Sequence, residues 1–373
     1  ARRPARCTSP SPGAGSPYSG GVQIPTHPAW SRTRLPGRLG AGLLAVALLT
    51  ACSSGGSGQA GGTTSPSARA TTATASPSAP AGGYRVVRDG PAPEVTGGGP
   101  GQSPRIAAGQ GRPGDAVVIN TLRAGDGRTA RQGDLVVADF VVQKWAQTRP
   151  MASTYEAHQP VSFQLAAGQT IPAWQELAGV RVGARMQLVV PPRAGFGTKG
   201  NAQAGISGTD TLVYVFDIRG AYPPRAAADG KPVPPSAGSA RRLPTVTVKA
   251  GTPQVSVPSG VTPPTSLTKV ALLTGDGARV RTGQTVVVQY TGALWADGST
   301  FDSSWRRGVP AAFPIGRGMV IPGWDAGLVG ARVGDRLLLV LPPDQGYGKT
   351  GAPQAGIPGG ATLVFVVDLL DAI

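Results

Sequence analysis

The sequence predicts an α+β protein with two related domains, each containing several antiparallel strands and one short helix. Two observations predict it. Segments of the second half of the chain repeat segments of the first half at a nearly constant offset, and each copy contains short β-branched or alternating runs typical of strands. The 373 residues are enough for two ordinary domains. Gly (56) and Pro (37) make up about a quarter of the chain, which indicates unstructured stretches beside the globular parts.

The repeat extends through loops as well as strands, which favours duplication over chance. Trp145 corresponds to Trp295, and Trp174 to Trp324, both at an offset of 150 residues. After one deleted residue the offset becomes 151, and three further pairs of segments match: 182–183 with 333–334, 190–192 with 341–343, and 195–197 with 346–348.

The strands and the helix are clearest in the second copy. The run from Thr285 to Tyr290 is rich in β-branched residues, and the run from Arg336 to Leu341 is closed by two prolines. From Thr362 to Leu369 apolar residues alternate, as in a half-buried strand. One short helix is expected after Ile321, where Pro322 occupies the first helical position.

Composition divides the chain into five segments. Residues 1–51 contain six arginines and no acidic residue, and they end in an apolar run of eleven residues, typical of a signal peptide. Residues 52–83 are rich in Ser, Thr, Gly and Pro and predict a flexible tether. The two copies occupy 84–222 and 245–373, with a linker over 223–244 between them.

A lipid anchor is predicted where the apolar run ends. Leu49-Thr50-Ala51-Cys52 resembles the lipobox of bacterial lipoproteins. The resemblance implies cleavage before Cys52 and a diacylglycerol on its sulfur, and hence anchoring on the extracytoplasmic face of the cell membrane. The alternative is an ordinary signal peptide followed by an unrelated cysteine.

Charge and residue usage exclude several kinds of chemistry. The net charge of +16 comes from scattered Lys and Arg without a basic run, which favours an anionic membrane or cell wall nearby over nucleic acid. The cysteines are Cys7 and Cys52, and the histidines are His27 and His158. The second copy therefore has no Cys or His nucleophile or base, and we expect neither a metal nor a cofactor.

Five motifs occur in order in the second copy, between about Gly275 and Leu370. They are Val288-Gln289-Tyr290-Thr291-Gly292, Gly298-Ser299-Thr300-Phe301-Asp302-Ser303-Ser304, Val320-Ile321-Pro322-Gly323-Trp324, Pro342-Pro343-Asp344-Gln345-Gly346-Tyr347-Gly348 and Ala361-Thr362-Leu363-Val364-Phe365. Together they closely resemble the FKBP-type peptidyl-prolyl cis/trans isomerases. The resemblance implies an antiparallel sheet curled around one short helix. Together with the repeat and the composition, it predicts two such domains with a disordered N-terminal region and linkers.

The resemblance also implies a site. Its polar groups, which we predict to be catalytic, are Tyr290, Asp302, the Ile321 backbone N–H and Tyr347. The substrate pocket that it implies is lined by Phe301, Phe313, Val320, Trp324, Ile357 and Phe365. Taken singly, these residues are more typical of a core or a turn, whereas their joint occurrence favours a pocket. Ala311 and Ala352 make the rim less aromatic than is usual in the family.

The function this implies is rotation of X–Pro bonds in exported, Pro-containing polypeptides, without a covalent step. Two alternatives remain open, a non-catalytic tandem module that binds Pro-containing segments at the cell surface, and a chaperone in which catalysis is incidental.

The first copy lacks the polar groups of this site. It has Phe140, Met151, Ala152 and Phe196 where the second copy has Tyr290, Phe301, Asp302 and Tyr347. It keeps an apolar shell of Ile171, Trp174, Ile206 and Tyr214. We therefore expect a catalytically weak or inactive domain that binds clients or acts as a spacer, with His158 on its surface.

Overall fold

The computed structural model describes residues 83–99, 101–234 and 242–373. The predicted signal peptide, Cys52 and nearly all of the tether lie outside the described residues. Within the described part of the chain, no helix combines the length and the apolar character needed to span a membrane.

The first domain is a sheet of seven strands in the order β1-β4-β8-β9-β5-β6, with β7 paired to β5. Its pairings are antiparallel except for β1, which runs parallel to β4 and so departs from the expected all-antiparallel sheet. The elements, which include the separate hairpin β2–β3, are β1 (Val86–Arg88), β2 (Val95–Thr96), β3 (Arg105–Ile106), β4 (Val117–Arg123), β5 (Leu135–Lys144), β6 (Ala152–Ser153), α1 (Thr154–Ala157), β7 (Val161–Gln164), β8 (Arg185–Val190) and β9 (Leu212–Tyr222), with 3-10 helices at Pro172–Leu177, Pro192–Ala194 and Ala202–Ala204.

The second domain repeats this arrangement in the order β10-β13-β17-β18-β14-β15, with β16 paired to β14, and all its pairings are antiparallel. Its elements are β10 (Lys231–Pro232), the hairpin β11 (Thr245–Lys249) and β12 (Thr252–Ser256), β13 (Thr268–Thr274), β14 (Thr285–Leu294), β15 (Thr300–Ser303), α2 (Ser304–Arg307), β16 (Ala311–Pro314), α3 (Pro322–Leu328), β17 (Arg336–Leu341) and β18 (Leu363–Ala372), with 3-10 helices at Pro343–Gln345 and Pro353–Ala355. Two sheets with few and short helices confirm the predicted fold class.

Each sheet is apolar on both faces. The inner face packs against the short helix that follows Ile171 or Ile321. The outer face is covered by a small hairpin, β2–β3 in the first domain and β11–β12 in the second. This second layer explains why nine of the ten residues of β5 and of β14 are buried, where a sheet with one solvated face shows alternation.

The short inner helix differs between the copies. It is the α-helix α3 in the second domain, as predicted, but a 3-10 helix over Pro172–Leu177 in the first. Asp325, in the first turn of α3, accepts hydrogen bonds from the backbone N–H groups of Gly316 (2.6 Å) and Gly318 (2.8 Å). The first copy has Gln175 at this position, and its helix has six residues where α3 has seven. Pro172 matches Pro322 at an offset of 150 and Leu177 matches Leu328 at 151, so the one deleted residue falls inside this helix. A 3-10 helix rises more per residue than an α-helix, which lets the shorter segment cover the same distance.

Part of the segment predicted as a linker packs against the second domain. The buried Gln289 amide donates a hydrogen bond to the Pro224 carbonyl (2.7 Å), and the Asp368 carboxylate accepts one from the Ala228 backbone N–H (3.0 Å). Beyond these contacts, β10 pairs with β13 at the sheet edge. The chain leaving the first domain therefore completes the sheet of the second.

Candidate functional site

The start of α3 places the Trp324 indole at the inner face of the second sheet. Pro322 opens the helix, and Ile321 precedes it in an extended conformation. A Cβ at Gly323 would lie 2.3 Å from a methyl carbon of Leu341, so only glycine lets the helix approach β17 this closely. Trp324 is consequently buried, with 3% of its surface exposed.

Three aromatic rings surround the Trp324 indole almost at right angles. The ring centroids of Tyr290 and Phe313 each lie 5.2 Å from it, and that of Phe365 lies 5.4 Å away, with interplanar angles of 84–90°. Phe301 extends the wall by packing edge-on against Phe365 at 5.5 Å. Such edge-to-face contacts are the preferred aromatic geometry and hold each ring in one orientation. We call these five residues the aromatic cluster.

Polar groups lie at one side of the aromatic cluster. The Tyr290 hydroxyl donates a hydrogen bond to the Asp302 carboxylate, and the Arg307 guanidinium forms an ion pair with the same carboxylate. Arg307 also donates to the Tyr290 hydroxyl oxygen (2.9 Å). Burial and the negative charge of Asp302 raise the pKa of Tyr290, so its hydroxyl stays protonated. Although burial lowers the pKa of Arg307, its contacts with Tyr290 and Asp302 raise it overall.

A serine at the start of α2 holds these polar groups in register with the sheet. The Ser304 hydroxyl accepts a hydrogen bond from the Tyr290 backbone N–H (2.7 Å) and donates to the Gln289 side chain (2.5 Å). In the first copy Thr154 makes the corresponding bonds to Phe140 (2.8 Å) and Asp139 (3.0 Å). This attachment of the short helix to the sheet is therefore common to both copies, whereas the polar side chains of the site are not.

The remaining predicted residues form the edge of the cluster. Val320 and Tyr347 are partly exposed, and Ile357 is buried behind them. Burial and the Asp302 charge raise the pKa of Tyr347 to about 12. Within the described residues, neither the Tyr347 hydroxyl nor the Ile321 backbone N–H has an acceptor. All ten residues predicted for the site thus lie in or beside one cluster.

Sequence reasoning missed two residues of this site. Arg307 is one, because Arg306 and Arg307 are adjacent and only the fold decides which of them reaches Asp302. Gly292 is the other. A Cβ there would lie 2.7 Å from the Phe301 ring and 2.8 Å from the Phe365 ring, so these rings meet only because position 292 has no side chain. The glycine inside an otherwise apolar strand was the available signal.

The corresponding region of the first copy is packed with a different set of rings. Phe216 stands where the second copy has Val367, is fully buried, and packs edge-on against Trp174 with centroids 5.2 Å apart. Phe163 also contacts Trp174, at 4.7 Å. Position 157, which corresponds to Arg307, is alanine. The first copy therefore lacks the whole polar group. Its five rings, Phe140, Phe163, Trp174, Tyr214 and Phe216, are all buried, whereas Phe301 and Phe313 of the second copy are partly exposed. His158 is exposed, as predicted.

The family model described as "FKBP-type peptidyl-prolyl cis-trans isomerase" matches twice, over residues 126–219 and 277–370. These matches cover half of the chain and coincide with the two sheets. The chain therefore belongs to the FKBP-type peptidyl-prolyl cis-trans isomerase family and carries its domain in tandem.

Curated relatives support this assignment. The chain is 44% identical over 118 residues to an FK506-binding protein of Streptomyces anulatus, which covers 32% of this chain and 94% of the relative. It is 50% identical over 92 residues to FK506-binding protein 2 of Yarrowia lipolytica, and the match covers 25% of this chain and 62% of the relative. It is 51% identical over 88 residues to peptidyl-prolyl cis-trans isomerase FKBP15-1 of Arabidopsis thaliana, and the match covers 24% of this chain and 56% of the relative. The chain thus spans less than two thirds of the Yarrowia and Arabidopsis relatives.

Solved structures that are similar include the three FKBP domains of wheat FKBP73 (21% identity, 69% of this chain, 94% of that chain, TM-score 0.28). Another is FkpA from Escherichia coli (43% identity, 31% of this chain, 52% of that chain, TM-score 0.27).

Proposed function

We propose that this chain accelerates cis/trans rotation of X–Pro bonds in polypeptides and that turnover takes place in the second domain. The observation that carries the proposal is the arrangement around Trp324. Three rings stand edge-on around its indole, beside the hydrogen-bonded group of Tyr290, Asp302 and Arg307. The first copy keeps the indole but none of the polar group, so this combination distinguishes the second domain.

Catalysis of this rotation requires that the site stabilise the twisted amide more than the planar amide, and it requires no nucleophile. Rotation about an X–Pro bond is opposed by a barrier of about 18–20 kcal/mol, because resonance gives the C–N bond double-bond character. Water stabilises the planar, dipolar amide, whereas the twisted amide is less dipolar. An apolar aromatic surface around Trp324 therefore disfavours the planar form more than the twisted one. Each tenfold gain in rate requires only about 1.4 kcal/mol of such selectivity.

Two polar groups of the site are available to orient a peptide. The Ile321 backbone N–H and the Tyr347 hydroxyl, which have no acceptor among the described residues, are suited to bind the carbonyl groups that flank the proline. A raised pKa of about 12 keeps the Tyr347 hydroxyl a donor at every physiological pH. Binding of these carbonyls leaves the C–N bond free to rotate over the indole.

The test compares matched tryptophan variants of the full-length chain in an exchange assay on a short Pro-containing peptide. Trp324→Leu is expected to reduce kcat/KM by roughly tenfold or more, which corresponds to ~1.4 kcal/mol. Trp174→Leu is the control, because it removes the corresponding indole from the first copy, and it is expected to change kcat/KM less than about twofold. Equal losses in the two variants would contradict the assignment to the second domain. Peptide binding without any rate enhancement would favour the non-catalytic module or the chaperone.

In the same proposal, the enzyme is held on the extracytoplasmic face of the membrane by a lipid on Cys52 and acts on exported polypeptides. The support is the sequence alone, a basic segment, a short apolar run and Leu49-Thr50-Ala51-Cys52. Exported chains emerge unfolded, and their X–Pro bonds isomerise in tens to hundreds of seconds without a catalyst. Cys52→Ser is expected to release the protein from the membrane fraction and to abolish labelling by a radioactive fatty acid. Retention of the variant in that fraction would exclude the anchor.

A further inference from the structure

The two domains meet through an apolar cluster at equivalent corners of their sheets. Its buried members are Leu135, Val137 and Tyr222 from the first domain and Val287 from the second. Val309, Ala312, Leu370 and Ile373 of the second domain pack against them. Val137 corresponds to Val287 at the offset of 150, and Tyr222 to Ile373 at the offset of 151. We call this set the interface cluster.

Tyr222 is fixed at the centre of the interface cluster. It is the last residue of β9 and is 9% exposed. Its hydroxyl donates a hydrogen bond to the Asp371 carboxylate of the second domain (2.5 Å). A Cβ at Gly220 would lie 2.1 Å from that hydroxyl, so the glycine makes room for the ring to lie back along its own strand. A hydrogen bond to a carboxylate is directional and charge-assisted, so it favours the one relative position of the two domains in which Tyr222 and Asp371 meet.

The interface cluster touches the back of the segment that carries part of the site. In β16 the side chains alternate, so that Phe313 packs in the core of the second domain while Ala312 packs in the interface cluster. Val309, in the same cluster, lies two residues after Arg307. The segment from Arg307 to Phe313 is therefore held between the first domain on one side and Trp324 on the other.

The first domain therefore supports the site of the second domain, although it contributes no residue to that site. Phe313 supplies one of the rings around Trp324, at 5.2 Å, and Arg307 supplies the ion pair with Asp302. Both belong to a segment whose only regular structure is the last residue of the four-residue helix α2 and the short edge strand β16. Short edge elements with few sheet hydrogen bonds are the parts of a fold that open most easily. A buried surface behind them restricts that opening.

We propose that the first domain acts as a positioning element for the proposed isomerase site, with Tyr222 as its central positioning residue. The proposal rests on the proposed function as far as turnover is concerned. Its geometric content does not: contact with Tyr222 fixes the ring of Phe313 beside Trp324 and the guanidinium of Arg307 beside Asp302. It gives the first copy a function that does not require a peptide to bind in its own core.

The experiment uses the full-length chain and two readouts. One is kcat/KM on a Pro-containing peptide. The other is the fluorine NMR signal of Trp324 in protein labelled with 5-fluorotryptophan, identified by its loss in Trp324→Phe. Tyr222→Ala is expected to shift or broaden this signal and to reduce kcat/KM roughly three- to tenfold, because small misplacements of groups around a reacting bond are costly. Tyr222→Phe keeps the ring but removes the bond to Asp371, so it is expected to lower kcat/KM and to shift the signal less than Tyr222→Ala does.

The matched control is Tyr84→Ala. Tyr84 is also a buried tyrosine of the first domain whose hydroxyl bonds to a carboxylate, Glu176 at 3.2 Å, but it lies in that domain's own core, outside the interface cluster. It is expected to destabilise the first domain without moving the Trp324 signal. Should Tyr222→Ala fail to fold, Val137→Ala removes less of the same cluster and is expected to act in the same direction.

Two results would overturn the positioning role. One is an unchanged Trp324 signal in Tyr222→Ala while hydrogen exchange shows that residues 222–230 have become accessible. The other is an equal change in Tyr84→Ala, which would indicate general destabilisation. If no variant and not even the natural chain catalyses rotation, the proposed function fails, and the fluorine signal still decides whether the first domain positions the cluster.

Discussion

The Tyr290 hydroxyl donates a hydrogen bond to the Asp302 carboxylate across the β14–β15 pair, and Arg307 binds both groups. This three-membered group is what the first copy has lost, since its counterparts are Phe140, Ala152 and Ala157. Because the three side chains satisfy one another, removal of any one leaves a largely buried polar partner without its bond.

The charge of Asp302 is therefore expected to support both stability and activity. Asp302→Asn keeps the shape but leaves Arg307 beside a neutral amide and weakens the acceptor for Tyr290. We expect the free energy of unfolding to fall by about 1–3 kcal/mol, measured by urea denaturation, and kcat/KM to fall with it. Asp276→Asn is the control, because Asp276 is an exposed carboxylate of the same domain. Equal effects of the two substitutions would mean that the loss comes from net charge alone.

Gly292 is expected to be required for the aromatic wall. Gly292→Ala would place a methyl group within 3 Å of the Phe301 and Phe365 rings and displace at least one of them. The cost of such overpacking is about 1–3 kcal/mol in stability, and kcat/KM should fall further than stability alone explains. Gly114→Ala is the control, since a Cβ there meets nothing within 4 Å. Full activity of Gly292→Ala would show that the position of the Phe301 ring does not matter for turnover.

Alkaline pH is expected to destabilise the second domain before it affects the chemistry. An unfolded tyrosine titrates near pH 10, whereas the folded chain raises the pKa of Tyr347 to about 12 and also raises that of Tyr290. Between these values the unfolded state releases protons that the folded state keeps, so stability is lost as the pH rises from 10 towards 12. Urea denaturation at several pH values measures this loss. Tyr347→Phe should reduce its slope, and an unchanged slope would contradict the raised pKa.

The hairpin that covers the outer face predicts where a stable fragment of the second domain must begin. A fragment that begins at Thr265 lacks the β11–β12 hairpin and exposes an apolar surface that includes Leu338, Val340 and Val364. We expect it to be less stable and to bind a hydrophobic dye more strongly than a fragment that begins at Pro223. Chemical denaturation and dye fluorescence of the two fragments check this. Equal stability would show that the hairpin contributes nothing to the fold.

The sequence predicted local and repeated features well. The repeat located both sheets, because glycines, prolines and aromatics keep their spacing when a domain is duplicated. The motifs contain the rings of Tyr290, Phe301 and Phe365, whereas Phe313 lies outside them and was indicated only by the family resemblance. The inner helix of the first copy was not distinguished from that of the second. The one-residue deletion that shortens it was noticed as a change of offset but was not assigned to the helix.

Features that depend on contacts distant in sequence could not be predicted. Nothing near Tyr222 indicates that its hydroxyl reaches Asp371, 149 residues later. The burial of the outer faces could not be predicted for the same reason. Continuous burial along β5 and β14 depends on hairpins distant in sequence, which are short and have weak sequence patterns. Phe216 gave no signal either, since a phenylalanine and a valine are equally compatible with an inward strand position.

The position of β10 has a consequence for the order in which the chain assembles. Every strand partner of the first sheet lies between Val86 and Tyr222, so that sheet can close while later residues are still being synthesised. The second sheet begins with β10, next to the finished first domain, and must wait for β13 on the far side of the hairpin. The first domain can therefore be complete before the second sheet begins to form.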